Sequence, residues 1–269
     1  MRETEVTNPV AKDALPDVDL AEITGMVRGV LPEMPPVTTG GEKLGKYADV
    51  WRWLAAAQYQ QRPGIRHPRI ALFMSMHGAH PEKQTAMPQA LKALHEGTHA
   101  LSPLAQDANA DLQVYELNMD APPRDFRREN TLLPHEAAHA VSYGLMAVQP
   151  GIDLLVAACL NPAAENAAEK ILATLKQGKG APFDALLASG GLDIAGLMGA
   201  IIAARLAHIP VLLDGKGAAA AAALLQALRP DASAHTRDAA AILEDKMHPQ
   251  PGMAGALLIS FLKSLTKVS

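Results

Sequence analysis

Four short, unbroken apolar runs punctuate the chain: "RIALFMSM" (69–76), "LQVYELNM" (112–119), "DLLVAACL" (153–160) and "IPVLLDG" (209–215). They run on without regular polar alternation, so each reads as a strand covered on both faces. Between them lie longer segments with Ala/Leu-rich helical periodicity. Alternating strand and helix predicts βαβ units, so the expected class is α/β: a doubly wound, mostly parallel sheet with helices on both faces. Ahead of the sheet, a short helix is expected over 18–30, then a loop punctuated by Pro35-Pro36 and Gly40-Gly41. A second helical pattern over 42–61 puts Leu44, Tyr47, Val50, Trp51 and Leu54 on one side. The expected organisation is an N-terminal helical segment, 1–66, joined to an α/β domain, 67–269, in one unit. Near the end, "AGALLISFLKSL" is a helix that suits either the core or a dimer contact.

In such sheets ligands bind beyond the C-terminal strand ends. Those ends are "SMHG" (75–78), "NMDAPP" (118–123), "CLNPAAEN" (159–166) and "LDGKG" (213–217). Composition narrows the partners. Over 269 residues the chain is 49% hydrophobic and 19% charged, with net charge −4 and no basic stripe interleaved with aromatics, which disfavours a nucleic-acid surface. Cys159 is the single cysteine, so no internal disulfide forms, as suits a reducing cytoplasm. Following the run "DLLVAA", it reads as a small core residue, not a nucleophile. The N-terminus lacks the basic and apolar regions of a secretory signal. The most apolar stretch, 192–213, is broken by Asp193, Arg205 and His208, which argues against a membrane span.

"PHEAAHA" (134–140) spells HExxH with His135, Glu136 and His139, and "HEGTHA" repeats the spacing with His95, Glu96 and His99. On a helix, residues four apart can share a zinc ion, with the glutamate activating its water. A third ligand is needed, and neither copy continues into HExxHxxGxxH; Glu165 and Glu169 lie downstream without a recognised motif. In a doubly wound layout both copies should fall on crossover helices, remote from the strand C-termini. The expectation is no metal, with a zinc hydrolase as the last alternative.

Several segments, in order, resemble the nicotinate-nucleotide–dimethylbenzimidazole phosphoribosyltransferase family. "EKLGKYADVWRWLAAAQ" is similar to an early SLGRLE-type helix. "ALFMSMHGAHPEKQTAMPQ" (71–89) is similar to the family's F-A-G-D-H-G-V…E-G-V-S-x-Y-P-Q: Phe73, His77, Gly78, Glu82, Pro88 and Gln89 coincide, and Thr85 stands at the serine. The stretch 189–230 resembles GGxEIAxLxGA…PVxLDGxxxxAAA…P nearly throughout. The resemblance spans about 18–230, and places the two HExxH copies where the family has ordinary helices.

The resemblance implies transfer of phosphoribose from nicotinate mononucleotide to a benzimidazole-type base in cobalamin lower-ligand synthesis, without a cofactor, by a dimer. It implies substrate contacts at Asp214 and Gly215 (ribose and phosphate), and its matched segments bring Gly190 and Gly191 (helix-start amides for an anion), His77 and Gly78 (pocket floor), and Thr85 (base edge) into the candidate site. Departures are as clear. "ACLNPAAEN" stands where the family has GEMGIGNTT, the GRGTG segment is missing, Met76 replaces an Asp, and "HPQPGMAGALL" (248–258) lacks the Glu that the family uses as base. No catalytic residue can be assigned; Glu165 and Glu244 are possible substitutes. Losing a positioned base typically lowers rate about 10²–10⁴-fold. A catalytically inactive relative is therefore the alternative: it would bind a nucleotide or base, or pair with a homologous subunit.

Overall fold

The computed structural model describes residues 18–178, 180–244 and 250–268. Residues 1–17 of the N-terminal segment, and His248 and Pro249 of the C-terminal stretch, lie outside them. In chain order come α1 (Leu20–Gly29), α2 (Ala48–Ala57), β1 (Pro68–Ser75), α3 (Met87–His95) and α4 (Leu101–Asp107). β2 (Asp111–Leu117), α5 (Pro134–Leu145), β3 (Leu154–Cys159), α6 (Pro162–Lys176), α7 (Pro182–Ser189) and α8 (Leu192–Leu206) follow. The chain closes with β4 (Val211–Asp214), α9 (Lys216–Leu228), β5 (Thr236–Asp238), α10 (Ala239–Leu243) and α11 (Met253–Val268).

The strands form one sheet in the order β2-β1-β3-β4-β5, every neighbouring pair parallel. The α/β expectation holds, and all four apolar runs are strands. β1, β3 and β4 are buried along their whole lengths. Their side chains alternate between two cores. Ala71, Phe73, Leu155, Ala157 and Leu213 pack under α1 and α5 to α9. Ile70, Leu72, Met74, Val156 and Leu212 pack under α2, α3, α4 and α11. Two apolar faces per strand leave no polar period to read. β5 is an unanticipated edge strand: it is three residues long and reads "TRD".

α11 belongs to the core, with Leu258, Ile259 and Leu262 fully buried against the sheet. α1 and α2 sit on opposite sheet faces, so the N-terminal segment packs into both cores. The glycines of "GLDIAGLMGA" have a packing reason. A Cβ on Gly199 would strike the Val141 carbonyl, and one on Gly144 the Gly196 carbonyl. α5 and α8 therefore cross with their backbones touching.

Candidate active site

Strand order reverses direction at β1, so the helices leaving β1 and β3 go to opposite faces and the strand C-termini diverge there. What fills this switch point is a polar network. β1 ends at buried Ser75, and β3 runs out to buried Asn161. Asn161 precedes Pro162 and caps α6: its Oδ1 accepts from Ala163 N at 2.9 Å. Its Nδ2 donates to Ser75 O and Gln84 Oε1, both at 2.7 Å. Gln84 Oε1 also accepts from His77 N at 2.7 Å, while its Nε2 donates to His77 O (2.7 Å) and Ala79 O (3.1 Å). One buried amide thus holds the loop after β1 to the strand beside it.

His77 extends the network to α8. Its Nε2 lies 3.0 and 3.1 Å from the two Asp193 carboxylate oxygens, with both side chains buried. Asp193 Oδ1 accepts from Ile194 N (2.8 Å), and Asp193 N donates to Ser75 Oγ (3.3 Å). Gly191, the N-cap of α8, has no room for a Cβ because the His77 ring occupies that space. Gly78 lies directly under the Pro123 and Arg124 backbone. His77, Gly78, Gly190 and Gly191 are therefore brought together. The α8 amides of Asp193 and Ile194 are already bonded to Ser75 and Asp193 itself. Thr85 is exposed on the turn before α3.

Asp214 and Gly215 stand across β3, with Asp214 in register with Ala158. Asp214 is buried, and its Oδ2 accepts from Gly255 N, in the first turn of α11, at 2.6 Å. Burial pushes its carboxyl up to about 6; the amides of Gly255 and Gly252 pull the other way, and Asp238 adds to the rise. Gly215 caps α9 at φ 93°, a left-handed conformation that favours glycine. Lys216 then pairs with Glu169 (2.6 Å) and Glu165 (3.8 Å). Glu244, the other carboxylate considered, is exposed and paired with Lys46 at 2.8 Å. The Cys159 thiol is driven up by burial first, then by the Asp193, Glu165 and Asp214 carboxylates, so it stays protonated in the core.

The HExxH copies are placed differently from expectation. His95 ends α3, and His99 lies past Gly97 (φ 68°), so the second copy does not share one helix. His95 instead meets Glu116, near the C-terminal end of β2, at 3.1 Å. The first copy opens α5, directly after the 118–133 loop that covers Gly78. Its first turn is thus on the strand-C-terminal side, a correction to the expected remoteness: crossover helices start where the preceding strand ends. Glu136 is held by Arg124 (3.0 and 3.3 Å) and by Leu133 N (2.7 Å). Among the described residues no three His, Cys, Asp or Glu gather as a metal site.

Gln84, Asn161 and Asp193 carry the network, yet the sequence pattern singled out none of them as site residues. Asn161-Pro162 at a strand end was a legible helix-start signal. In the sequence, Asp193 reads as a charge interrupting an apolar stretch.

A family model described as phosphoribosyltransferase matches residues 36–179 and 165–246. The nicotinate-nucleotide–dimethylbenzimidazole phosphoribosyltransferase of Ruegeria pomeroyi is 30% identical, over 82% of this chain and 82% of its own. The Brucella anthropi protein of the same name is 28% identical, over 82% and 76% respectively. The crystal structure of the Thermus thermophilus protein of that name superposes with TM-score 0.74 at 17% identity, covering 93% of this chain and 96% of that one.

Proposed function

Because the chain belongs to the nicotinate-nucleotide–dimethylbenzimidazole phosphoribosyltransferase family, we propose that it transfers phosphoribose from nicotinate mononucleotide to a benzimidazole-type base. The observation that carries the proposal is the family match over all the residues of the switch-point network, from Ser75 to Asp193, and over Asp214 and Gly215. In this reaction a ring nitrogen of the base attacks C1′ of the ribose. The C1′–N bond to nicotinate breaks, and nicotinate leaves with the electron pair. The proton on the new ring cation must then reach a carboxylate.

Asp214 is the carboxylate best suited to that role, since a base titrating near 6 is poised for neutral pH. Glu165 is exposed beside Lys216, and Glu244 is spent on Lys46. Asp214 and Gly215 are assigned to the ribose and phosphate; His77, Gly78, Gly190 and Gly191 form the rigid floor; Thr85 contacts the base edge. A cytoplasmic setting and a homodimer, or a heteromer with a homologous subunit, belong to the same proposal; the single, buried cysteine supports the first. No helix among the described residues is long and apolar enough to cross a membrane.

One arrangement favours a second reading, an inactive relative that binds the nucleotide or base. Between β3 and α6 stands Asn161-Pro162, without a glycine, and the Asp193 and Ile194 amides of α8 are occupied from within. Incubation with nicotinate mononucleotide and dimethylbenzimidazole, with the riboside phosphate followed by chromatography, separates the two. Product formation lost in Asp214→Asn supports the transferase. Saturable binding of both ligands without product at high protein concentration establishes the second reading.

A further inference from the structure

At the opposite end of the sheet, where β4 and β5 begin, lies a cavity of about 760 Å³. Its wall carries four arginines from four elements: Arg52 (α2), Arg205 (last turn of α8), Arg229 (C-cap of α9) and Arg237 (β5). Three acids share the wall, Glu33, Asp49 and Asp231. Two arginines are matched. Arg52 pairs with Asp49 at 2.9 Å, and Arg229 forms a fork with Asp231 at 2.6 and 2.8 Å.

Arg205 and Arg237 are not matched in this way. Arg205 is 2% exposed, and its Nε donates to Pro32 O at 3.0 Å. Its Nη2 lies 3.7 Å from Asp231, an acid already engaged by Arg229. Among the described residues, neither buried Nη atom has a hydrogen-bond partner. Two further donors on lining residues share that condition, Arg52 Nε and Trp53 Nε1. Arg237 lies at the rim, 5.8 Å from the Trp53 ring centre, and among the described residues donates only to its neighbour's carbonyl, Thr236 O. Buried donors are nearly always satisfied, so four unsatisfied ones on three residues lining one cavity mark a place built for acceptors. A guanidinium with two free Nη groups matches a tetrahedral oxyanion in geometry as well as charge.

We propose that this cavity is a second binding site, for a phosphate-bearing small molecule, with Arg205 as its anchor and Arg237 and Trp53 at its mouth. The site stands apart from the transferase centre and does not depend on the proposed reaction: its residues lie at the strand N-termini, and Asp214 and His77 at the C-termini. The ligand is a phosphomonoester or inorganic phosphate, small enough to seat its oxyanion on Arg205 with its remainder against the indole.

Equilibrium dialysis of the full chain with radiolabelled inorganic phosphate, paralleled by Trp fluorescence, tests this. Saturable binding is expected below about 1 mM, with a change in the Trp emission. Arg205→Met should weaken it at least about tenfold, the equivalent of losing one charge-assisted pair. The double variant Arg52→Gln/Arg237→Gln, which leaves Arg205 in place, provides an independent check, with several-fold weakening expected. Asp214→Asn should leave the component of binding that changes the Trp emission unchanged. No saturable binding by about 10 mM phosphate overturns the proposal. So does binding that survives the arginine variants but is lost in Asp214→Asn, since the phosphate would then sit in the transferase centre. Tighter binding of succinate than of phosphate overturns the ligand class.

Discussion

The two ends of the sheet handle buried polar groups in opposite ways. At the strand C-termini, Ser75, His77, Gln84, Asn161 and Asp193 satisfy one another across residues up to 118 positions apart. At the N-terminal end, Arg205 is as deeply buried, but among the described residues its two Nη groups have no hydrogen-bond partner. A self-satisfied network fixes geometry and offers rigidity; an unsatisfied one holds binding capacity in reserve. Reactive geometry in a transferase calls for the first, and capture of a ligand from solution for the second.

The largest effect expected is at Asp193. Asp193→Ala leaves His77 Nε2 buried without its partner and removes the acceptor for Ile194 N, so a loss of about 3–5 kcal/mol should appear in urea unfolding. Asp193→Asn, which keeps shape and one acceptor, should lose less than half of that. If Asp193→Ala unfolds within about 1 kcal/mol of wild type, the network is not what ties α8 to β1.

That network is also where sequence reading stopped. The fold was legible because full burial gives parallel strands a signal of their own: an apolar run with no period. β5 escaped because its three residues contribute ladder hydrogen bonds and little burial. The site was half legible. Glycines and a histidine at strand ends point to a location, and His77, Gly78, Gly190 and Gly191 do converge there. Partner identity did not show, because His77 and Asp193 are 116 residues apart and nothing local in "GGLDIAG" marks its aspartate as paired. The second HExxH copy failed for a local reason: Gly97 turns the backbone left-handed between its histidines. The arginine cavity was invisible, since its four arginines are surface-like residues until the fold assembles them.

The next effect is a pH dependence at Asp214. Its folded carboxyl titrates near 6 and its unfolded one near 3.8, so the folded state binds the proton more tightly. Stability from this group is fully present below pH 3.8 and is lost as pH rises through 6. Asp214→Asn mimics the protonated form and should gain up to about 3 kcal/mol over wild type at pH 8, with the difference vanishing below about pH 4. The comparison must be between variants, because His235 opposes it. Burial pushes His235 down to about 3, so its contribution is present above pH 6.5 and is lost as pH falls towards 3. Thermal unfolding of both proteins from pH 4 to 8 checks the sign: Asp214→Asn less stable than wild type at pH 8 would mean that the Gly255 bond outweighs the burial.

Asn161→Ala should have a smaller effect. It removes the α6 cap and leaves Ser75 O and one Gln84 acceptor position unfilled, for about 1–2 kcal/mol by chemical denaturation. Because Gln84 also bonds the His77 backbone, Gln84→Ala combined with Asn161→Ala should be less than additive. Strict additivity would show that the two amides act separately and that the network is only a set of pairs.

The smallest expected effect is at Arg205, and it bears most directly on the contrast between the two ends. Met matches much of the arginine stem, so Arg205→Met retains the packing while removing one bond to Pro32 O and the long contact with Asp231. It also removes two buried donors that gain nothing in the free protein. These terms oppose each other, and the net change without ligand should fall within about 1 kcal/mol of wild type, in either direction. Added phosphate should then stabilise wild type and not the variant, since a ligand that binds only the folded state raises its stability by mass action. A loss comparable to that of Asp193→Ala would show that Arg205 is satisfied where it lies, and the two ends of the sheet would then be built alike.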